Sequence, residues 1–144
     1  MSISSPLKLE PVEVDDVPAI TELWFATFTD PQMQHIFPDT PNVRKWWDDT
    51  NRHDLLNKPF QKYIKIVDPH SLDHHGRPRL AAFAKWDTAS MDERGRRFAP
   101  WDTDIAISDA DVLFGRLDSE RRRVMGSQKH YCKGSWIVIW LGLR

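Results

Sequence analysis

Apolar and polar positions alternate and recur along the chain in a way that predicts a strand, two helices, a strand hairpin, a third helix and a last strand. Leu7 and Leu9 alternate with Lys8 and Glu10, the period of a half-buried strand, until Pro11 and the pair Asp15-Asp16 interrupt it. Asp15 or Asp16 can cap a helix with Pro18 in its first turn, and Val17, Ile20, Leu23, Trp24 and Phe28 then recur at helical spacing. Thr29 to Pro41 holds three prolines and reads as a loop. Thr40 is placed to cap a second helix with Pro41 at its first position, whose inner face is Val43, Trp46, Trp47, Thr50 and Leu55. Because neighbours on a helix stand about 100° apart, one of Trp46 and Trp47 is expected at the edge of that face.

Period two returns at Gln61 to Asp68, where Tyr63, Lys65 and Val67 oppose Lys62, Ile64 and Ile66. It returns again at Leu80 to Trp86, after a polar connection containing Gly76 and Pro78. The two runs predict an antiparallel hairpin with a long loop. Residues 88–107 are charged and weakly periodic, an ordered excursion that Phe98 and Trp101 would pin to the body. Ser108 and Asp111 resemble a capping arrangement for a helix carrying Leu113, Phe114, Leu117, Arg121 and Val124 to about Gly126. The apolar run Trp136 to Leu141 reads as a buried strand, far short of the roughly 20 residues that cross a bilayer.

Composition narrows the function classes. The 144 residues fit one domain with one core. Twenty basic against 21 acidic side chains give a net charge of −1, no field for a polyanion or an acidic membrane, so neither nucleic acid nor membrane is an expected partner. A single cysteine, Cys132, and no secretory pattern at the start point to a reducing, cytoplasmic setting. Seven tryptophans and seven phenylalanines supply either a core of large rings or an aromatic-lined pocket.

Several constellations have ligand chemistry. His70, Asp73, His74 and His75 are zinc-compatible types, but their spacing fixes no ligand set; the segment reads as a polar turn, and no metal is expected. His130 and Cys132 lack the orienting third group of a thiol nucleophile. Arg94, Arg96 and Arg97 with Arg121 to Arg123 are balanced by Asp92, Glu93, Asp118 and Glu120, the composition of an ion-paired surface. Trp86-Asp87 at a strand end admits two readings, an aromatic wall beside a carboxylate suited to an ammonium ion, or a core ring followed by a residue that ends the strand.

Some local sequences carry a family likeness. Leu9-Glu10-Pro11 with Asp15-Asp16, Glu22-Leu23-Trp24-Phe25 with Phe28, and Phe37-Pro38-Asp39-Thr40-Pro41 are three of them. Leu55-Leu56-Asn57-Lys58-Pro59-Phe60, Ala84-Lys85-Trp86 and Arg121-Arg122-Arg123-Val124-Met125-Gly126 are the others. Over Leu7 to Tyr131 the chain resembles the small fungal type of GNAT-superfamily N-acetyltransferase, in its N-terminal half only. The resemblance implies an incomplete GNAT-like acyl-CoA N-acyltransferase fold of α/β (α+β) class, a mixed, mostly antiparallel sheet with flanking helices. It implies acetyl transfer from acetyl-CoA, as co-substrate, to a small amine acceptor. In such enzymes the early helices shape the amine pocket, which makes Phe28, His35, Trp86 and Asp87 the candidate acceptor contacts; no catalytic base is assigned. The family also implies an Arg/Gln-x-x-Gly-x-Gly/Ala turn at a helix start for the coenzyme pyrophosphate.

After Tyr131 the likeness stops. None of Gly76, Gly95, Gly115, Gly126, Gly134 and Gly142 completes the coenzyme turn. The expectation is therefore residues 1–131 as the N-terminal part of an acetyltransferase domain and 132–144 as a divergent apolar strand. The chain would be truncated before the acetyl-CoA site, with no cofactor-binding residues, and its activity is left open. The rival reading is a non-catalytic interaction or small-molecule-binding α+β module, self-associating through an exposed sheet edge.

Overall fold

A computed structural model of the chain describes residues 7–129 and the backbone of residues 132–139. The fold is mixed α+β. Strand β1 (Lys8–Pro11) leads through a short 3₁₀ turn (Val14–Asp16) into α1 (Val17–Thr27), α2 (Pro31–Ile36) and α3 (Pro41–Asn57). The hairpin β2 (Gln61–Leu72) and β3 (Pro78–Asp87) follows, then the four-residue α4 (Met91–Arg94), α5 (Ile107–Met125) and β4 (Cys132–Ile139). The sheet is antiparallel throughout, in the order β1-β2-β3-β4.

Strand β3 is central. Its register sets Tyr63 opposite Lys85 and Lys65 opposite Phe83, so these four side chains share the face on which the helices pack. Helix α1 lies over β3 and α3 over β2, and the two helices pack on each other. Between helices and sheet the core is aromatic: Trp24 and Trp47 sit with ring centroids 4.8 Å apart, and Phe37, 1% exposed, meets Trp24, Trp46, Trp47, Trp101 and Phe114.

Several expectations need correction. Leu9 lies opposite Ile66 on the face away from the helices and is 66% exposed, so the alternation of β1 holds but its leucine side is not the buried one. The inward side of β1 instead meets charge: Lys65 reaches Asp16 at 2.7 Å and Glu10 at 3.8 Å. The stretch read as a loop contains α2, built on the same signal as α3, for Asp30 caps it by accepting from Met33 N at 2.9 Å and Pro31 opens it. Trp46 and Trp47 are both buried. Trp47 faces α1, while Trp46 is covered by the excursion after β3 through Phe98 and Trp101, and its indole donates to Pro100 O at 2.7 Å.

The hairpin pairs out to Leu72 opposite Pro78, leaving a tight turn where a long loop was expected. Asp73 builds that turn by accepting from His75 N and Arg77 N at 2.8 and 2.9 Å, and Gly76 supplies a φ of 75°. These donors hold the Asp73 carboxyl below the usual carboxylate range. Helix α5 starts from Ala106 without a side-chain cap; Asp111 accepts instead from the Trp101 indole at 2.7 Å, and Ser108 lies inside the helix. Its buried residues are Ala110 and Phe114, whereas Leu117 and Val124 are exposed. Residues 132–139 form a last strand paired with β3, which overlaps the expected Trp136 to Leu141 strand over residues 136–139 and begins four residues earlier. His130, Tyr131, Trp140, Leu141 and the Cys132 side chain lie outside the described residues. Among those residues no helix is long and apolar enough to cross a membrane.

Candidate functional site

The inner face of α3 changes character along its length. Val43, Trp46 and Trp47 are apolar, and the next turns bury Thr50, Asn51 and Asp54. Spacing of three and four residues keeps all of these on one side, so the helix delivers polar groups to the sheet where an apolar continuation would be cheaper to bury. Asp54, 1% exposed, meets Lys85 Nζ of β3 at 2.6 Å and Lys58 Nζ, one turn further on, at 2.7 Å. The Tyr63 hydroxyl donates to Asn51 Oδ1 at 3.2 Å, and Asn51 Nδ2 donates back to Trp47 O at 3.0 Å. Lys85 Nζ also lies 5.1 Å from the Tyr63 ring centroid.

Burial pushes the Lys85 ammonium below the usual lysine range; Asp54 opposes that shift, and Lys58 and Arg97 add to it. Burial raises the Tyr63 phenol well above its ordinary value, helped by the carboxylates of Asp54 and Asp87. One carboxylate flanked by two lysines leaves this end of the cluster with an excess of positive charge whenever both are protonated.

A second buried pair closes the sheet end. Asp87, 2% exposed, accepts from Arg94 Nε at 2.7 Å and Nη2 at 3.2 Å, from Gln61 Nε2 at 3.3 Å and from Ala89 N at 2.9 Å. Helix α4 presents the arginine, and its four residues are held by a Ser90/Glu93 capping box. Arg94 is thus buried, where an ion-paired surface was expected; Arg122 and Arg123 do form exposed pairs with Asp92 and Glu120, while Arg97 and Arg121 lie near Asp118 with only 13% and 15% of their side chains exposed.

The four candidate acceptor contacts stand in different surroundings. Phe28 is half-buried at the end of α1, its ring 5.0 Å from that of Trp24. His35 is exposed on α2 and pairs with Asp109 of α5 at 2.8 Å. Trp86 and Asp87 are strand neighbours and point to opposite faces, Trp86 half-buried away from the helices and Asp87 buried against Arg94. The wall-and-carboxylate arrangement is therefore not formed, and the Asp87 oxygens are occupied by protein donors. Among the described residues no group of three or more His, Cys, Asp or Glu side chains is arranged to hold a metal.

Sequence reasoning missed Asn51, Asp54, Tyr63 and Lys85 as a unit. Two signals could have found them: a lone lysine inside the otherwise apolar run Leu80 to Trp86, and Thr50, Asn51 and Asp54 continuing the helical face opened by Val43 and Trp47. The arrangement can hold a proton in a low-dielectric setting and can fix the α3 terminus on the hairpin. Comparison with protein-family models, with curated proteins and with solved structures gives no match.

Proposed function

We propose that the chain is the amine-acceptor half of a GNAT-like N-acetyltransferase and does not hold acetyl-CoA by itself. The observation that carries this reading is the topology: helices between β1 and a β2–β3 hairpin, then a helix and a fourth strand, in an antiparallel sheet ordered β1-β2-β3-β4 with α1 and α3 on the same face. That order agrees with the opening half of the fold the resemblance implies. Acetyl transfer needs a neutral amine and a polarised thioester carbonyl. The coenzyme is expected on backbone N–H groups at a glycine-rich helix start, and none of the six glycines stands in such a sequence. Phe28, His35 and Trp86 are the proposed acceptor contacts, on the resemblance alone; the Asp87 oxygens are taken by Arg94, Gln61 and Ala89.

Two titrations test this. Calorimetry with acetyl-CoA is expected to give no saturable heat, and micromolar affinity would overturn the claim that the donor site is missing. Backbone amide spectra titrated with a set of small primary amines are expected to shift around Phe28, His35 and Trp86. Unchanged spectra with every amine would sink the acceptor reading.

A further inference from the structure

The sheet face turned away from the helices is apolar where a solvated face is ordinarily polar. An antiparallel sheet covered by helices on one side alternates apolar inward and polar outward positions. Here the inward positions of β2 and β3 include Lys65 and Lys85, while Ile64, Ile66, Ala82, Ala84 and Trp86 stand on the opposite face with Leu9 of β1. None of these six is part of the core between helices and sheet. Leu9 is 66% exposed, and Ile64, Ile66 and Trp86 are half-buried. A contiguous apolar patch of this kind marks a contact surface.

The order of residues along β2 selects the partner. Its alternate positions on this face run Lys62, Ile64, Ile66, Asp68, a basic end and an acidic end with two isoleucines between them. Asp68 accepts from His70 N at 2.9 Å. Two other charged residues stand level with these ends. Lys133 of β4 is in register with Trp86, and Arg79, opposite Asp68, donates to Leu72 O at 3.4 Å and lines the groove beside α1 with Glu22 and Asp73. A two-fold axis between two such faces, crossing the strands midway between Ile64 and Ile66, lays each strand antiparallel over its own copy. Lys62 then meets Asp68 of the second copy at both ends, Ile64 meets Ile66, Ala82 meets Ala84 and Leu9 meets Pro11, an apolar centre with a charged rim. With about 4.8 Å between strands and about 3.3 Å per residue, four strands over residues 62–68 present about 450 Å² per copy, and about 900 Å² for a pair is the size of a weak, reversible interface. The net charge of −1 offers little repulsion between copies. We propose that this face joins two copies of the chain in a reversible two-fold dimer, with Ile64 and Ile66 at its centre and Lys62 paired with Asp68 of the other copy at each end. The dimer does not rest on the acetyltransferase reading.

The experiment is sedimentation equilibrium of the full chain from about 1 to about 500 μM, a range that spans the affinities of small interfaces. The mass is expected to move from 16.9 kDa toward twice that value. Lys62→Asp and Asp68→Lys each set like charges against one another at both ends and are expected to weaken association about tenfold or more. Mixed in equal amounts, the two variants are expected to associate again, because each copy then carries the charge the other needs. Constant mass throughout overturns the proposal and leaves the face to a partner of another kind. Association that both reversals leave intact places the contact elsewhere, such as a strand edge, and overturns it too, as does a mixture no more associated than either variant alone. Should a reversal unfold the chain, Leu9→Glu decides alone, since Leu9 is exposed. Weaker association is expected there, and association equal to wild type refutes the face.

Discussion

At Lys85, burial and charge pull in opposite directions, and pH separates them. Because burial lowers its folded-state value below the ordinary 10.5, the folded protein binds fewer protons there than the unfolded chain in the interval between the lowered value and 10.5. Stability therefore rises with pH through that interval. Tyr63 acts in the reverse sense. Its raised value means that above the ordinary 10.0 the unfolded chain loses a proton the folded protein keeps, so stability falls. Urea unfolding from about pH 8 to about pH 11 is expected to show a maximum near the ordinary values of the two groups. Lys85→Met should remove the rise and Tyr63→Phe the fall; a Lys85→Met profile parallel to wild type would show that the lysine titrates normally. Asp87 and Arg94 give a second test, since neither is more than 6% exposed. Asp87→Ala strands a buried guanidinium and is expected to cost about 3–5 kcal/mol, whereas Asp87→Leu combined with Arg94→Met should recover most of it. A loss below about 1 kcal/mol for Asp87→Ala would mean that the arginine finds water.

At the level of elements, the chemistry that starts helices is stronger than the periodicity that fills them. Thr40 Oγ1 accepts from Val43 N at 3.2 Å and donates to Asp104 at 2.8 Å, so one hydroxyl caps α3 and ties it to the segment before α5. Thr40→Ala is expected to cost about 1–2 kcal/mol and Thr40→Ser to restore most of that, read from chemical unfolding midpoints. An alanine variant as stable as wild type would show that the cap contributes nothing. The same signal, Asp30-Pro31, starts α2, where the prolines around it suggest a loop; Met33 and Ile36, three apart and both buried, are the compensating clue. The two alternating runs of the hairpin were legible because β2 is half-buried and its period is two. Sidedness was not legible in β1, whose inward positions hold Glu10 and lie near Lys65, because alternation alone does not say which face meets helices. Nor was it in α5, where Leu117 and Val124 continue an apolar stripe past the point at which the core ends at Phe114. The buried polar cluster escaped for a related reason. Asp54 and Lys85 come from separate elements, and although the α3 face and the apolar run around Lys85 mark each as inward-facing, nothing local pairs them until the sheet register and α3 bring them to 2.6 Å.

Across the whole molecule, one aromatic network joins the elements that the sheet does not. Phe37, just after α2, touches rings on α1 (Trp24), on α3 (Trp46 and Trp47), on the excursion after β3 (Trp101) and on α5 (Phe114). Phe98 extends the network between Trp46, Trp101 and Phe114, with its own ring centroid 4.7 Å from that of Phe114. Helix α5 buries only Ala110 and Phe114, so its attachment to the rest of the domain depends on these rings more than on a broad apolar face of its own. This arrangement makes folding of the helices and packing of the tryptophans one event. Far-UV circular dichroism and tryptophan fluorescence are expected to give coincident unfolding transitions in the wild type. Phe37→Ala removes the ring at the centre of the network and is expected to cost about 3–5 kcal/mol, a large part of the roughly 5–15 kcal/mol typical of such a domain. If the rings alone hold α5 in place, the Phe37→Ala transitions should separate, with helical signal lost at lower denaturant than the fluorescence of the Trp24–Trp47 pair. Coincident transitions at the lowered midpoint would instead mean that the main-chain bond from Ala106 N to Ile36 O, 3.1 Å, and the His35–Asp109 pair suffice to keep α5 docked on α2. Adding Asp109→Ala distinguishes the two. Loss of an exposed pair contributes little to global stability but would split the transitions if that seam carries the docking.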